Sequence, residues 1–145
     1  MIYDYSEFRL ELTEDWGEIE SPDPKMVCFR STPQGAGITL SAMFYQIPPD
    51  KLERFAQKLL EARIDAHAEQ FDGVSYLRQS VRLHSTGRAF EVFCMAEARD
   101  AYICFLGYVT ERKILNFFVE VATGDYPTAA TLFNTLIRGF EPILP

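Results

Sequence analysis

Phe8, Leu10 and Leu12 alternate with Arg9 and Glu11, the two-residue period of a half-buried strand, and the chain then turns through Thr13-Glu14-Asp15 into Trp16, its only tryptophan. Residues 25–31 predict a second strand. The punctuation of residues 32–37 (TPQGAG) predicts a hairpin loop, and residues 38–46 a third strand, ended by Pro48-Pro49 because proline cannot donate into a ladder. Asp50 with Glu53 has the form of a capping box. It opens a helix over residues 51–71 whose apolar stripe is Leu52, Phe55, Ala56, Leu59, Leu60, Ile64 and Phe71. A strand meander follows over residues 74–84, 88–98, 101–110 and 114–122, and its short joins require antiparallel pairing. Thr123-Gly124-Asp125 starts a final helix with Pro127 in its first turn, Ala130, Phe133, Leu136 and Ile137 on its apolar side and Gly139 at its end.

Strands, helix, strands, helix make an α+β domain spanning residues 1–145. The expected architecture is a single antiparallel sheet of about six to seven strands with two main helices, and Trp16 folded over the sheet's end to close the core.

The alternation within the strands sorts two faces. Ile38, Leu40, Ala42 and Phe44, with Phe90, Val92, Cys94 and Ala96 and with Leu115, Phe117, Val119 and Val121, are expected under the helices. The opposing set mixes methionine, aromatic and small polar residues: Thr39, Ser41, Met43, Tyr45, Phe93, Met95, Asn116 and Phe118. Two arrangements fit that set. A helix covers it in a three-layer sandwich, or a partner does, since methionine and aromatic side chains adapt to varied partners.

The chain has 145 residues, 48% of them hydrophobic and 24% charged, enough for one real core. Its net charge of -7 argues against nucleic acid and anionic membrane surfaces as partners. The N-terminus shows no basic region followed by an apolar run, and no stretch reaches the ~18 apolar residues of a membrane span. The expected location is cytoplasmic. There Cys28, Cys94 and Cys104, each among apolar residues, are free buried thiols.

No residues converge on chemistry. His67 and His84 have no metal-ligand spacing between them or with a Cys-x-x-Cys pair, so neither metal nor cofactor is expected. A Cys28–His67 pair would meet only across a buried helix–sheet interface, where a thiol's pKa rises. The acidic residues between Glu14 and Asp23 lie among Gly, Ser and Pro and read as a solvated loop. The expectation is a non-enzyme.

Phe8, Leu10, Leu12 and Trp16, the Gly-x-Ala at Gly87 and Ala89, and a terminal helix ending in Arg138-Gly139-Phe140-Glu141-Pro142 resemble the PsbP-like fold. That group includes DcrB-related bacterial proteins, among them the effector-associated chaperones of type VI secretion. Thr13 stands where the group usually has a proline. The resemblance implies a cytoplasmic adaptor or chaperone that shields apolar segments of a secreted effector. Met43, Tyr45, Phe93, Met95 and Phe118 would cradle an apolar helix, and Thr39, Ser41 and Asn116 would supply hydrogen bonds. An immunity-type inhibitor of a toxin and a small-ligand carrier are the alternatives. Apolar residues on both sheet faces also lead to the expectation of a homodimer.

Overall fold

The computed structural model describes residues 1–122 and 125–144. The meander is as its alternation predicts. β6 (Ser75–Leu83), β7 (Phe90–Glu97), β8 (Tyr102–Val109) and β9 (Lys113–Val121) pair antiparallel in succession. β9 then pairs with β5 (Ala36–Phe44), β5 with β4 (Met26–Ser31) and β4 with β3 (Gly17–Ile19), giving a seven-stranded sheet of order β3-β4-β5-β9-β8-β7-β6. β3 falls inside the segment expected to be a solvated loop. Its three residues are all exposed, so no alternation marks them as a strand.

The single-sheet expectation is corrected. The opening strand β2 (Phe8–Glu11) does not join the large sheet. It is the middle of a separate three-stranded sheet, between β1 (Ile2–Asp4) and β10 (Phe140–Pro142). Both partners are three-residue segments at the chain ends, too short to carry a period. β10 follows directly from α2 (Tyr126–Arg138) through Gly139. A Cβ on Gly139 would lie 2.6 Å from the Glu11 carbonyl oxygen, while the Glu11 amide donates to the Gly139 carbonyl at 2.8 Å. Only glycine allows the end of α2 to come that close to the β2 backbone.

The helices take opposite faces. α1 (Leu52–Gln70) packs over β6, β7 and β8. Its Leu52, Ala56 and Leu60 meet Val92, Cys94, Phe105, Val109 and Ile114. α2 and the small sheet close the other face. There Leu10, Leu12, Trp16, Leu132, Phe133 and Leu136 pack with Phe29, Ile38, Leu40, Leu106, Phe117 and Val119. Trp16 closes this core between the small sheet and α2.

Two capping expectations divide. Asp125 caps α2, its carboxylate accepting from the Thr128 amide at 3.3 Å, whereas the Thr123-Gly124 part of that helix start lies outside the described residues. Asp50 does not cap α1. A 3-10 turn, Pro49–Lys51, precedes the helix, and no side chain caps it. The proline-fixed approach sets the entry instead, with Asp50 and Glu53 adding negative charge at the helix start. α2 is also rotated from expectation: it buries Ala129 and Leu132, leaving Ala130 and Ile137 half-buried.

A trough beside the long helix as the candidate functional site

Register decides which residues share a face, because each step along a strand reverses the side chain. One row across the large sheet runs Ile19–Cys28–Thr39–Phe118–Phe105–Cys94, and the next runs Met26–Ser41–Asn116–Gly107–Val92. Both lie on the α1 face. The row Leu40–Phe117–Leu106–Phe93 and the row Ile38–Val119–Cys104–Met95 lie on the face of α2 and the small sheet.

The expected site therefore splits. Thr39, Ser41, Met43, Asn116 and Phe118 come together on the α1 face, and Tyr45 extends them just past the end of β5, 51% exposed. Phe93 and Met95 are on the opposite face: Met95 is buried in the α2-side core, and Phe93 sits under the Arg78 guanidinium at 5.3 Å. Alternation had paired them with the wrong neighbours. β8, which stands between β7 and β9, is apolar on both sides, so the sequence carries no sign of which side of β7 matches which on β9.

α1 covers only the β6–β8 half of its face. Over β3, β4 and β5 the α1-face side chains stay half-buried or exposed, from Met26 and Cys28 to Thr39, Ser41 and Met43, while Phe29, Ile38 and Leu40 beneath are buried. The result is a trough. Its floor is Thr39, Ser41, Asn116 and Phe118, and Ile19 and Met26 stand exposed on the sheet-edge side.

The other wall is Leu59, Arg63 and His67 of the helix, with Phe71 just past its end. Leu59 approaches Gly107, where a Cβ would meet it at 3.1 Å and the Phe105 ring at 2.9 Å. Arg63 lies over the Phe105 ring at 5.0 Å. The rings of His67 and Phe71 lie 5.3 and 6.4 Å from Phe118.

The electrostatics of the wall follow from burial. His67 is 2% exposed, and desolvation, aided by the nearby Arg63 charge, lowers its pKa to about 4, so the imidazole is neutral. Its Nδ1 is 3.3 Å from Tyr76 Oη, which also reaches the Ile64 carbonyl at 3.3 Å. Burial likewise lowers Arg63. Cys28 does not meet His67: Thr39 and Phe118 stand between them in the row, and the Cys28 sulfur is 4.0 Å from the Thr39 hydroxyl. On the floor, Asn116 Nδ2 donates to Ser41 Oγ at 3.3 Å. The Asn116 amide oxygen has no partner among the described residues, although the residue is only 5% exposed.

Sequence reasoning did not place Arg63, His67 or Phe71 at a site: Phe71 stood in the apolar stripe, and His67 was weighed only as a metal ligand or a partner of Cys28. The four-residue spacing of the three was visible, but it blended into the helix's apolar stripe. A second concavity, about 1040 Å³, lies on the far side, where Leu12, Trp16, Leu132 and Leu136 floor a groove rimmed by Thr128, Thr131 and Thr135. Among the described residues no three His, Cys, Asp or Glu side chains group as metal ligands, and no helix is long and apolar enough to cross a membrane.

No protein-family profile matches the chain, and no curated protein matches it. Solved structures do. The solution structure of cyanobacterial PsbP (CyanoP) from Synechocystis sp. PCC 6803 aligns with a TM-score of 0.65 at 15% identity, covering 99% of this chain and 92% of that one. A crystal structure from Bacteroides thetaiotaomicron VPI-5482 aligns with a TM-score of 0.50 at 13% identity, over 94% of this chain and 45% of that one. Likeness at such identity is one of fold: the chain has the PsbP-like α+β fold, here with a seven-stranded and a three-stranded sheet.

Proposed function

We propose that the protein is a non-enzymatic binding module that holds an apolar segment of a partner protein in the trough beside α1. The observation that carries this reading is the uncovered half of the α1 face. Its methionine, cysteine, phenylalanine and hydroxyl side chains offer apolar area with hydrogen-bonding groups interspersed, the composition that suits an adaptable interface. The resemblance to effector-associated chaperones extends the reading to a client of the secretion machinery, an effector whose apolar segment needs cover before export. The homodimer belongs to the same reading, and light scattering at micromolar concentration tests it.

Site-specific photo-crosslinking tests the module itself. A crosslinker at Thr39 should join the protein to one defined partner in its native host, whereas a crosslinker at Ser80, on the opposite face, should not. Equal capture from both positions, or none from Thr39, overturns the reading.

A further inference from the structure

Four strands edge the two sheets, and three of them are short. β1, β3 and β10 have three residues each, whereas β6, the outer strand of the large sheet beyond β7, has nine. Among the described residues, the main-chain hydrogen bonds of residues 75–83 run to β7 alone. The register shifts at Leu77, and from Arg78 to Leu83 the ladder is unbroken. An open strand edge is a row of unpaired N–H and C=O groups, and folded proteins keep such rows short or cover them. This chain shortens three edges and leaves the fourth long.

The long edge is opposite in charge to the protein. Between Gly73 and Phe90 there are three arginines and no carboxylate, in a chain of net charge -7. Register puts Arg78, Ser80 and Arg82 on the face of α2 and the small sheet, across from Met95, Phe93 and Glu91. Arg78 is exposed above the Phe93 ring, at 5.3 Å. Arg82 sets two nitrogens on one Glu91 oxygen, at 3.0 and 2.8 Å, and its side chain is still 72% exposed. On the α1 face, beyond Gln79, Val81 is half-buried against the α1-side core and Leu83 is 56% exposed. The edge is thus basic on one face and largely apolar on the other. Arginines there work against a strand of like charge, a second β6 included, and leave the edge open to a strand of opposite charge.

We propose that β6 is a docking edge for an extended acidic segment of a partner protein, which adds to the large sheet as a further strand with one carboxylate opposite Arg78 and another opposite Arg82. Residues directly opposite share a face, so the two carboxylates stand four residues apart. The residues opposite Val81 and Leu83 fall on the other face and are apolar. Main-chain hydrogen bonds supply the attachment, and the carboxylates select which strand attaches. The edge and the trough lie at opposite ends of the large sheet. The two sites take separate partners: a crosslinker at Ser80 reports the strand, and one at Thr39 the occupant of the trough.

The probe is the acetylated, amidated peptide Thr-Val-Glu-Val-Thr-Val-Glu-Val-Thr, whose glutamates stand four apart, titrated into the intact protein and followed by amide exchange. It should bind and slow exchange at alternate amides of residues 78–83, leaving β3, β4 and β5 unchanged. Glutamine in place of both glutamates should weaken binding about tenfold, and lysine should abolish it. A protein carrying Arg78→Glu and Arg82→Glu should reverse the order, taking the lysine peptide and refusing the glutamate one. Should that protein melt early, Arg78→Gln with Arg82→Gln repeats the measurement and should bring the glutamate peptide down to the level of the glutamine one. Equal binding of the glutamate, glutamine and lysine peptides, no binding, or slowing confined to the trough or to β3 overturns the proposal. So does slowing in β6 that rises with protein concentration and needs no peptide, which would make a second copy the occupant of the edge.

Discussion

Lys113, the first residue of β9, ion-pairs with Glu7, the residue just before β2, and also donates to the Ile143 carbonyl at 2.6 Å. One ammonium thus fastens the large sheet to both flanks of the small one, and both side chains are largely buried, 10% and 20% exposed. Removing one partner of such a pair strands the other, which costs about 3–5 kcal/mol, whereas removing both can be nearly neutral. Lys113→Met should therefore destabilise by roughly 2–4 kcal/mol in urea, the low end reflecting Glu7's residual exposure, and Glu7→Gln combined with it should recover part of the loss. Equal stability of the single and double variants would show that the pair is not what joins the sheets.

The small sheet is also where sequence reading fell short, and the reason is physical. The long strands carry a period of two over eight or nine residues, and each appears within about two residues of where alternation put it. β1, β3 and β10 have three residues each, so their pairing is decided by distant partners and by Gly139, not by local pattern. The same limit divided the candidate site. Thr39, Ser41, Met43, Asn116 and Phe118 lie on directly paired strands, where matching faces could be inferred; Phe93 and Met95 are two strands further on, across β8, whose eight residues are all buried and give no sign. Arg63 was hidden for another reason. An arginine in a helix reads as solvated, and only the docking of α1 on β8 places this one over the Phe105 ring.

His67 predicts a pH dependence. Its folded pKa, about 4, lies below the ordinary 6.5 because burial disfavours the charged ring. The unfolded chain therefore binds the proton first as pH falls. The stability this neutral imidazole preserves is complete above about pH 6.5 and is lost progressively as pH drops toward 4, by about 2–3 kcal/mol at one pKa unit per 1.36 kcal/mol. Denaturant melts of the protein and of His67→Phe at pH 7 and pH 4.5 check this. The difference between the two should shift by ~2 kcal/mol over that interval; parallel curves would mean that the ring is protonated in the fold.

Gly107 tests how closely α1 sits on the sheet. A methyl there meets the Phe105 ring at 2.9 Å and Leu59 at 3.1 Å, both inside ordinary contact. Gly107→Ala should lift Leu59 or turn the ring, costing about 1–3 kcal/mol as overpacking does. Amide exchange should quicken in α1 and not in α2, which packs on the other face. Uniform quickening would argue against a local wedge.

The three thiols should separate in reactivity. Burial pushes Cys94 up to about 12 and raises Cys104 further, so neither offers a thiolate at neutral pH. Cys28 is half-buried on the trough floor. Titration with a small disulfide reagent should label Cys28 alone in the native state, and all three on unfolding. Native labelling of Cys94 would show that α1 opens readily from the sheet.

Phe117 and Phe118 are adjacent in β9 and face opposite ways, so one substitution at each separates core from trough. Phe117 is wholly buried, stacked on Phe140 at 4.7 Å. An aspartate there has neither water nor a counter-charge, and Phe117→Asp should leave the chain unfolded, a loss of more than about 4 kcal/mol. Phe118 is half-buried, with the trough open on one side. Phe118→Asp forfeits its packing on His67 and Phe71, about 1–2 kcal/mol for a partly covered ring, and should still fold. It should also change the titration of its neighbour. A carboxylate beside His67 favours the imidazolium, raising the folded pKa toward or past 6.5 and removing the low-pH loss. Thermal melts at pH 7 and pH 5 read both effects: Phe118→Asp should be the weaker protein at pH 7 and should close the gap, or reverse it, at pH 5. A variant that unfolds as completely as Phe117→Asp, or one that loses stability in parallel with the parent on acidification, would mean that Phe118 is closed core and that the trough does not exist as an open surface.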